Sequence, residues 1–440
     1  MLEVGHSPPR RFFDAQFLHI ARNSTWSVGS TFVMAAGMFA ETVILGRYLG
    51  AAQYGVYLLV LAFPEVVLLF LDFRTREAMT RYLGGFLERG DGPRAVAVVK
   101  LLWMVDIGVV LTALLVVVIT APIVAPHLTD NPEAANLMRI YTIALLLGGL
   151  VVTAGAVLRV FDRFRLAFFT AVGSFAMRLV IMIELVSRGS GLEGIVWGRV
   201  AAELAAMLIL GTAAFVLLKQ ALWPHRGAPL SALRGLRRQI VHFLLHMNVQ
   251  GSLRAAATKL DVLCVGVIAG PGAVSLYKVG VQLGSSPLLF ADPLFTAVYP
   301  LFSRWHAAGR SNEIRSVGRK SSIVLAAVAI PMVALLAVES REILSFLFGS
   351  DFGSAAWPMT IVLIGVLPSV VFFWGRAAIL AFGDARTATM IVTAATLAQF
   401  AALFALTPLF GASGAAVGFG LTSVVSVLMT GKYLRRKSLL

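Results

Sequence analysis

Ionisable residues stand within, or at the edges of, long apolar runs of this 440-residue chain. Arg178, Arg254, Lys278 and Arg376 are basic; Glu41, Glu65, Asp261 and Asp292 are acidic. A charge inside a bilayer is costly and is kept where it meets a partner, water or a ligand. Arg254 and Arg178 fall near the middle of their runs, where a side chain cannot snorkel to the headgroups, so both are expected to line a polar cavity. Glu65 follows Pro64, which should kink its helix and free a carbonyl. Two readings stay open for Glu65: pairing with one of those arginines, or carrying a coupling ion, H+ or Na+. Lys278, Arg376, Asp292 and Arg47 lie nearer the ends of runs, where long side chains can snorkel. Arg199 and Glu203 are four apart, a helix spacing that predicts an internal ion pair. Arg254 and Asp261, two turns apart, also share a face.

No catalytic constellation accompanies these charges. The chain has no GxxxxGK[ST] phosphate loop, so it is not expected to hydrolyse ATP. His242 and His246 are four apart without a third ligand nearby, so no metal site is predicted. The single cysteine, Cys264, permits no intrachain disulfide. The expectation is a protein that is not an enzyme and needs no cofactor. Any energy would come from an ion gradient, the membrane potential or the substrate's own gradient.

The elements that hold these residues follow from composition. The chain is 58% hydrophobic and 13% charged, against about a quarter charged in a globular protein. Its apolar residues come in blocks of roughly 20, the length that crosses a bilayer core as helix. Twelve helices are predicted, at 23–48, 55–73, 95–121, 138–158, 166–187, 194–218, 241–267, 274–302, 319–339, 356–381, 387–408 and 412–434. Continuous rather than alternating apolar runs exclude a barrel. Residues 1–22, with Arg10, Arg11, Phe12 and Phe13, read as an amphipathic interfacial segment. The net charge of +15 lies mostly in alternate connections, such as Arg74–Lys100 and Lys219–Arg238. That bias puts both termini and those connections in the cytoplasm. It also accounts for the basic balance without nucleic acid, which has no soluble domain to bind.

One stretch recurs. ETVILGRYLGAAQYGVY, Glu41–Tyr57, lies without gaps over DVLCVGVIAGPGAVSLY, Asp261–Tyr277, after a shift of 220 residues. Glu41 falls on Asp261, Gly50 on Gly270 and Tyr57 on Tyr277. Six spans per half make both copies face the same way, a parallel pseudo-twofold repeat of the kind found in secondary transporters. The division expected is an N-lobe at 23–218, a basic linker or hinge at 219–240, a C-lobe at 241–434 and a tail at 435–440. Depth along the helix places Glu41 toward the outer rim, in a gating role, and makes Arg47 an interfacial anchor.

The runs LGRYLGAAQYGVYLLVLAF and DFRTREAMTRYLGGFLERGD, with KLDVLCVGVIAGPGAVSLYKVGVQLG in the second half, resemble the polysaccharide-transport flippases of the multidrug/oligosaccharidyl-lipid/polysaccharide (MOP) exporter superfamily. Arg74-Thr-Arg76 departs from the pattern, where apolar or small residues are usual, and makes that entrance more basic. The resemblance implies an all-α membrane protein that moves polyprenyl-diphosphate-linked oligosaccharide from the cytoplasmic to the outer leaflet of the cell membrane. It would work by alternating access and serve a polysaccharide polymerase machinery. Guanidinium forks suit a diphosphate, which would assign substrate contacts to Arg254 and Arg178, with Lys278 and Arg376. Glu65, Glu41, Asp261 and Asp292 are left for coupling or gating. The competing reading within the superfamily is a multidrug–cation antiporter, whose cavity should be lined by acids and aromatics. A membrane glycosyltransferase or polymerase would need a larger loop or domain than the connections offer.

Overall fold

The computed structural model describes the backbone of residues 10–437 and the side chains of 33–248, 259–291 and 293–437. Arg254 and Asp292 therefore have side chains outside the described residues. Among the described residues every regular element is helical. Lipid offers backbone N–H and C=O groups no partner, so a spanning segment must satisfy them within itself. The long helices are α1 (Arg10–Leu71), α2 (Gly92–Leu128), α3 (Ala134–Val160), α4 (Phe164–Ser187), α5 (Gly191–Leu222), α6 (Arg237–Gly284), α7 (Leu288–Ala307) and α8 (Ser311–Val338). They are followed by α9 (Ser340–Phe348), α10 (Ala356–Val371), α11 (Phe373–Ala381) and α12 (Ala385–Arg436). Nine helical stretches among the described residues are long and apolar enough to cross a membrane. Their outer faces stay apolar: Leu111, Ile123, Val328 and Leu397 are all exposed. This is a multi-pass membrane protein.

Three of the long helices, α1, α6 and α12, contain a non-helical glycine, at Gly50, Gly270 and Gly411. Each break falls in a gap left between two apolar runs. Gly50 and Gly270, superposed by the 220-residue shift, have nearly the same backbone, φ/ψ 68/173 and 77/176. That region belongs essentially to glycine, so the shared residue type reflects a shared bend. At the start of α12 the Asp384 carboxylate accepts from Thr387 N and Oγ1 at 2.9 and 2.8 Å, bonds that hold it below the usual carboxylate range.

The chain forms two compact units that do not follow its midpoint. The first takes the chain up to Ile44, then Pro64–Pro122 and Ala135–Ala255. Its core joins Met79, Leu83, Leu102, Val157 and Leu158 to Leu222, Leu233 and Ile240. The basic segment expected as a hinge is thus packed into this unit. It forms 3-10 turns at Trp223–His225 and Leu230–Leu233. Lys100 Nζ also donates to the carbonyls of Arg226 and Ala228, at 2.9 and 3.0 Å.

The second unit holds Leu45–Phe63, Ile123–Ala134 and Ala256–Leu440. Phe302, Trp374, Ala377 and Leu434 are in its core. It contains an element that the apolar-run reading passes over, the nine-residue helix α9, SREILSFLF. That helix is too short to span, but it buries Leu344 and Phe348. A Cβ on Gly46 would come within 2.7 Å of the Phe348 ring, and one on Gly55 would collide with the Pro271 carbonyl. Arg47, expected as an interfacial anchor, instead donates from its guanidinium to the Phe346 carbonyl at 2.8 Å. The carbonyl at the end of a short helix is a fixed acceptor that the headgroup region cannot match.

These breaks can be tested. Gly50→Ala and Gly270→Ala should each cost about 1–3 kcal/mol through backbone strain. Both should lower the unfolding midpoint of the purified protein in detergent, followed by differential scanning fluorimetry. Gly272→Ala, where φ is not positive and nothing lies within 4 Å of the added methyl, should leave it unchanged.

Candidate functional site

Helices are stiff enough to hold a charge at fixed depth, and in the first unit they bring four ionised groups together. Glu41 on α1 is 6% exposed. One of its oxygens takes Arg178 Nη2 of α4 at 2.7 Å, and the other takes Arg199 Nη2 of α5 at 3.2 Å. Glu203, one turn beyond Arg199, lies 4.0 Å from Arg178 Nη1. Two guanidiniums and two carboxylates leave the cluster formally neutral. At an effective dielectric of about 20, charges 4 Å apart gain about 4 kcal/mol. That gain must offset a desolvation cost of several kcal/mol per ion, so the pairing decides whether these groups can stay charged.

Aromatic rings complete the surroundings. Arg178 lies over the Phe175 ring, 4.4 Å from its centroid, and Arg199 lies 5.6 Å from that of Tyr141. Gly37 leaves room for Phe175, since a Cβ there would come within 2.3 Å of the ring. Tyr141 Oη donates to Glu65 Oε1 at 2.9 Å. Glu65 is thereby connected through a tyrosine to the arginine cluster.

The cluster forms one wall of a cavity of about 630 Å³ within the first unit, a volume typical of small-molecule sites, ~300–1,000 Å³. Its guanidiniums are Arg178, Arg199, Arg74 and Arg76; its carboxylates are Asp72, Glu77, Asp106 and Glu203. Apolar residues such as Leu68, Val109 and Leu145 make up much of the rest. Asp106 accepts from Thr153 Oγ1 at 2.7 Å, and the Thr75 and Thr153 hydroxyls are 3.2 Å apart. The lining thus carries balanced charge, unlike the acidic lining expected of a cation antiporter.

The remaining sequence candidates divide by unit. Asp261, in the second unit, is 2% exposed and accepts from Tyr277 Oη and from Val262 N, both at 2.7 Å. Lys278, the residue after Tyr277 on α6, is partly buried. Arg376 lies over the Phe295 ring at 5.1 Å. Arg254 and Asp292 lie outside the described side chains. Spacing along the chain points to Arg199 with Glu203, but no local pattern connects Glu41 to Arg178, 137 residues away. Tyr141 and Thr153 carry no signal in the sequence, since a lone tyrosine or threonine in an apolar helix reads as packing, whereas Asp106 stands out as a charge near a span end. Among the described residues no group of three His, Cys, Asp or Glu could hold a metal ion.

Residues 44–357 match the family described as polysaccharide biosynthesis protein. The chain belongs to the polysaccharide biosynthesis protein family. Over 179 residues it is 28% identical to the probable low-salt glycan biosynthesis flippase Agl15 of Haloferax volcanii. That match covers 40% of this chain and 37% of that one, so the chain spans little more than a third of the length of this curated relative. Among solved structures, a multidrug resistance MATE family transporter of the MOP superfamily in an inward-facing conformation aligns with a TM-score of 0.73 at 13% identity. The alignment covers 92% of this chain and 95% of that one. The lipid II flippase MurJ, inward closed, aligns with a TM-score of 0.68 at 13% identity, over 94% and 89%. At such identities the likeness is one of fold: this polysaccharide biosynthesis family member has the two-lobe, all-α architecture of MOP superfamily transporters.

The ion cluster yields a stability test. Glu41→Gln leaves two half-buried guanidiniums short of a counter-charge and should cost about 3–5 kcal/mol, read as a lower unfolding midpoint. Glu41→Gln with Arg178→Gln should recover part of that loss. Strict additivity of the two single variants would mean that the pair does not interact.

Proposed function

We propose that the protein is a flippase that carries polyprenyl-diphosphate-linked oligosaccharide from the cytoplasmic to the outer leaflet of the cell membrane, by alternating access, for cell-surface polysaccharide assembly. The observation that carries this reading is a cavity lined by four arginines and four carboxylates, in a chain that belongs to the polysaccharide biosynthesis family. A cavity with balanced charge can admit a diphosphate, which a net-acidic one would repel. The partial match to a glycan biosynthesis flippase supports the same substrate class. The reading takes residues 23–218 and 241–434 as lobes related by a parallel repeat, with both termini cytoplasmic. It also expects a polysaccharide polymerase machinery downstream.

The geometry suggests how such a substrate would be handled. Arg178 and Arg199 are already neutralised by Glu41 and Glu203, so an incoming diphosphate must compete with those carboxylates for the guanidinium forks. A diphosphate offers more oxygens and more charge than one carboxylate and can win that exchange. Protonation of Glu41 or Glu203 would release the arginines, which would couple binding to a proton. Glu65, held by Tyr141 beside Arg199, is a second coupling candidate. Arg254, Lys278 and Arg376 remain proposed substrate contacts, and Asp261 and Asp292 proposed gating residues. The sugars would occupy the hydrated part of the cavity while the polyprenyl tail stays in lipid. No covalent bond changes.

One specific observation favours a second reading, a multidrug–cation antiporter: the fold is shared with MATE transporters and Asp106 stands in the cavity wall. In proteoliposomes the flippase reading predicts that a fluorescent polyprenyl-diphosphate oligosaccharide becomes accessible in the opposite leaflet. Arg199→Gln should slow this by about tenfold or more, the worth of one charge-assisted hydrogen bond. Gradient-driven uptake of a lipophilic cation without glycolipid movement would establish the antiporter instead. If flipping by Glu65→Gln keeps its full response to a proton or sodium gradient, Glu65 is not the coupling group.

A further inference from the structure

The run Asp72-Phe-Arg-Thr-Arg76 leads into an unusual piece of backbone. Arg74 has a left-handed conformation, φ 53 and ψ 44, and caps a four-residue helix, Thr75–Ala78. It is followed by a π-helical turn, Met79–Leu83, before α-helix resumes at Gly84. A non-glycine residue at positive φ and a π turn each cost local stability, and π turns in helices concentrate at functional sites. Here Arg76, Thr80 and Arg81 line one open hollow of about 400 Å³ together with Arg159 of α3.

That cavity is lined by three arginines, one threonine and a single acid, Glu77. The arginines line the same hollow rather than being spread over the surface. Each is also held in place. Arg76 donates from Nη2 to Glu77 Oε1 at 2.9 Å. Arg81 lies over the rings of Phe243 and Tyr82, 4.9 and 5.5 Å from their centroids. Arg159 is in the last turn of α3, where the helix dipole favours a cation. Snorkelling accounts for single arginines at a membrane surface but not for three that face one hollow. Such an arrangement repels itself until an anion enters.

We propose that Arg76, Arg81 and Arg159 form a diphosphate-binding site, separate from the Glu41–Arg178–Arg199 cluster, that captures the head of a lipid-linked diphosphate at the end of the first unit bearing the basic connections. After Glu77 is counted, two positive charges remain, which suits a diphosphate. Guanidinium forks match its oxygens bidentately, while the Thr80 hydroxyl donates to the Arg76 carbonyl at 3.0 Å. Arg76 and Glu77 line this hollow and also the larger cavity, so a captured head would already stand at the mouth of that cavity. The assignment of a lipid diphosphate rests on the flippase reading; the anion site itself rests on the residues.

The test uses the full-length protein in detergent, with farnesyl diphosphate as probe, by isothermal titration calorimetry. Arg81→Gln and Arg159→Gln should each weaken binding by about tenfold or more, with Arg159→Lys recovering part of the loss. Arg310→Gln, which removes an exposed pair with Glu313, should bind as wild type. An unchanged unfolding midpoint shows that a weakened variant is still folded. Inorganic pyrophosphate should compete. Unchanged affinity in the Arg81→Gln/Arg159→Gln double variant overturns the site. Displacement of the probe by phosphatidylglycerol at equal concentration also overturns it, in favour of an ordinary phospholipid headgroup. Arginine-dependent probe binding without glycolipid flipping in vesicles would leave the site standing and remove the flippase reading. Flipping with the probe bound equally by the double variant would remove only the site.

Discussion

One buried carboxylate sets the terms for the first unit. Glu41 faces two guanidiniums, and with Glu203 it makes a neutral set of four charges in a setting that tolerates no uncompensated one. The residues around the cluster follow from that constraint. Phe175 and Tyr141 present ring faces to the arginines. Gly37 leaves the room that Phe175 needs. Tyr141 in turn holds Glu65. Each arginine of the cluster thus has a carboxylate partner within it.

The same economy separates the two arginine groups of this unit. At the cluster, carboxylates and guanidiniums match one for one. At the hollow lined by Arg76, Arg81 and Arg159, three arginines face one glutamate. A neutral site favours exchange and a cationic one favours capture, so the two could act in succession on one anionic head. Arg76 and Glu77 line both cavities and connect them.

Much of the architecture was readable from residue types alone. The long apolar runs could only be helices in lipid. The match of Gly50 to Gly270 corresponds to two backbone bends with nearly the same φ/ψ. Spacing of four put Arg199 and Glu203 on one face of a helix, while the ion pairs described for them run across helices, to Glu41 and to Arg178. Contacts across the chain were not readable. Glu41 and Arg178 are 137 residues apart, and nothing local in either run marks the other. Helix α9 was missed because a nine-residue amphipathic segment has neither the length of a span nor the polarity of a loop. The segment 219–240 looked like a linker from its prolines and charge, yet Leu222, Leu233 and Ile240 bind it into the core. Composition records how polar a segment is, and packing depends on where its few apolar residues point.

The central claim is that the charged cavity of the first unit receives the head of a lipid-linked glycan. Photocrosslinking tests it most directly, with a polyprenyl-diphosphate sugar that carries a diazirine beside the diphosphate, followed by mass spectrometry of the labelled peptides. The account predicts adducts in the segments around Tyr141–Val152 and Ser174–Glu203, displaced by unlabelled glycolipid and lost when Arg178 and Arg199 are both replaced by glutamine. Displaceable labelling confined to other segments, or unchanged in that double variant, would contradict it.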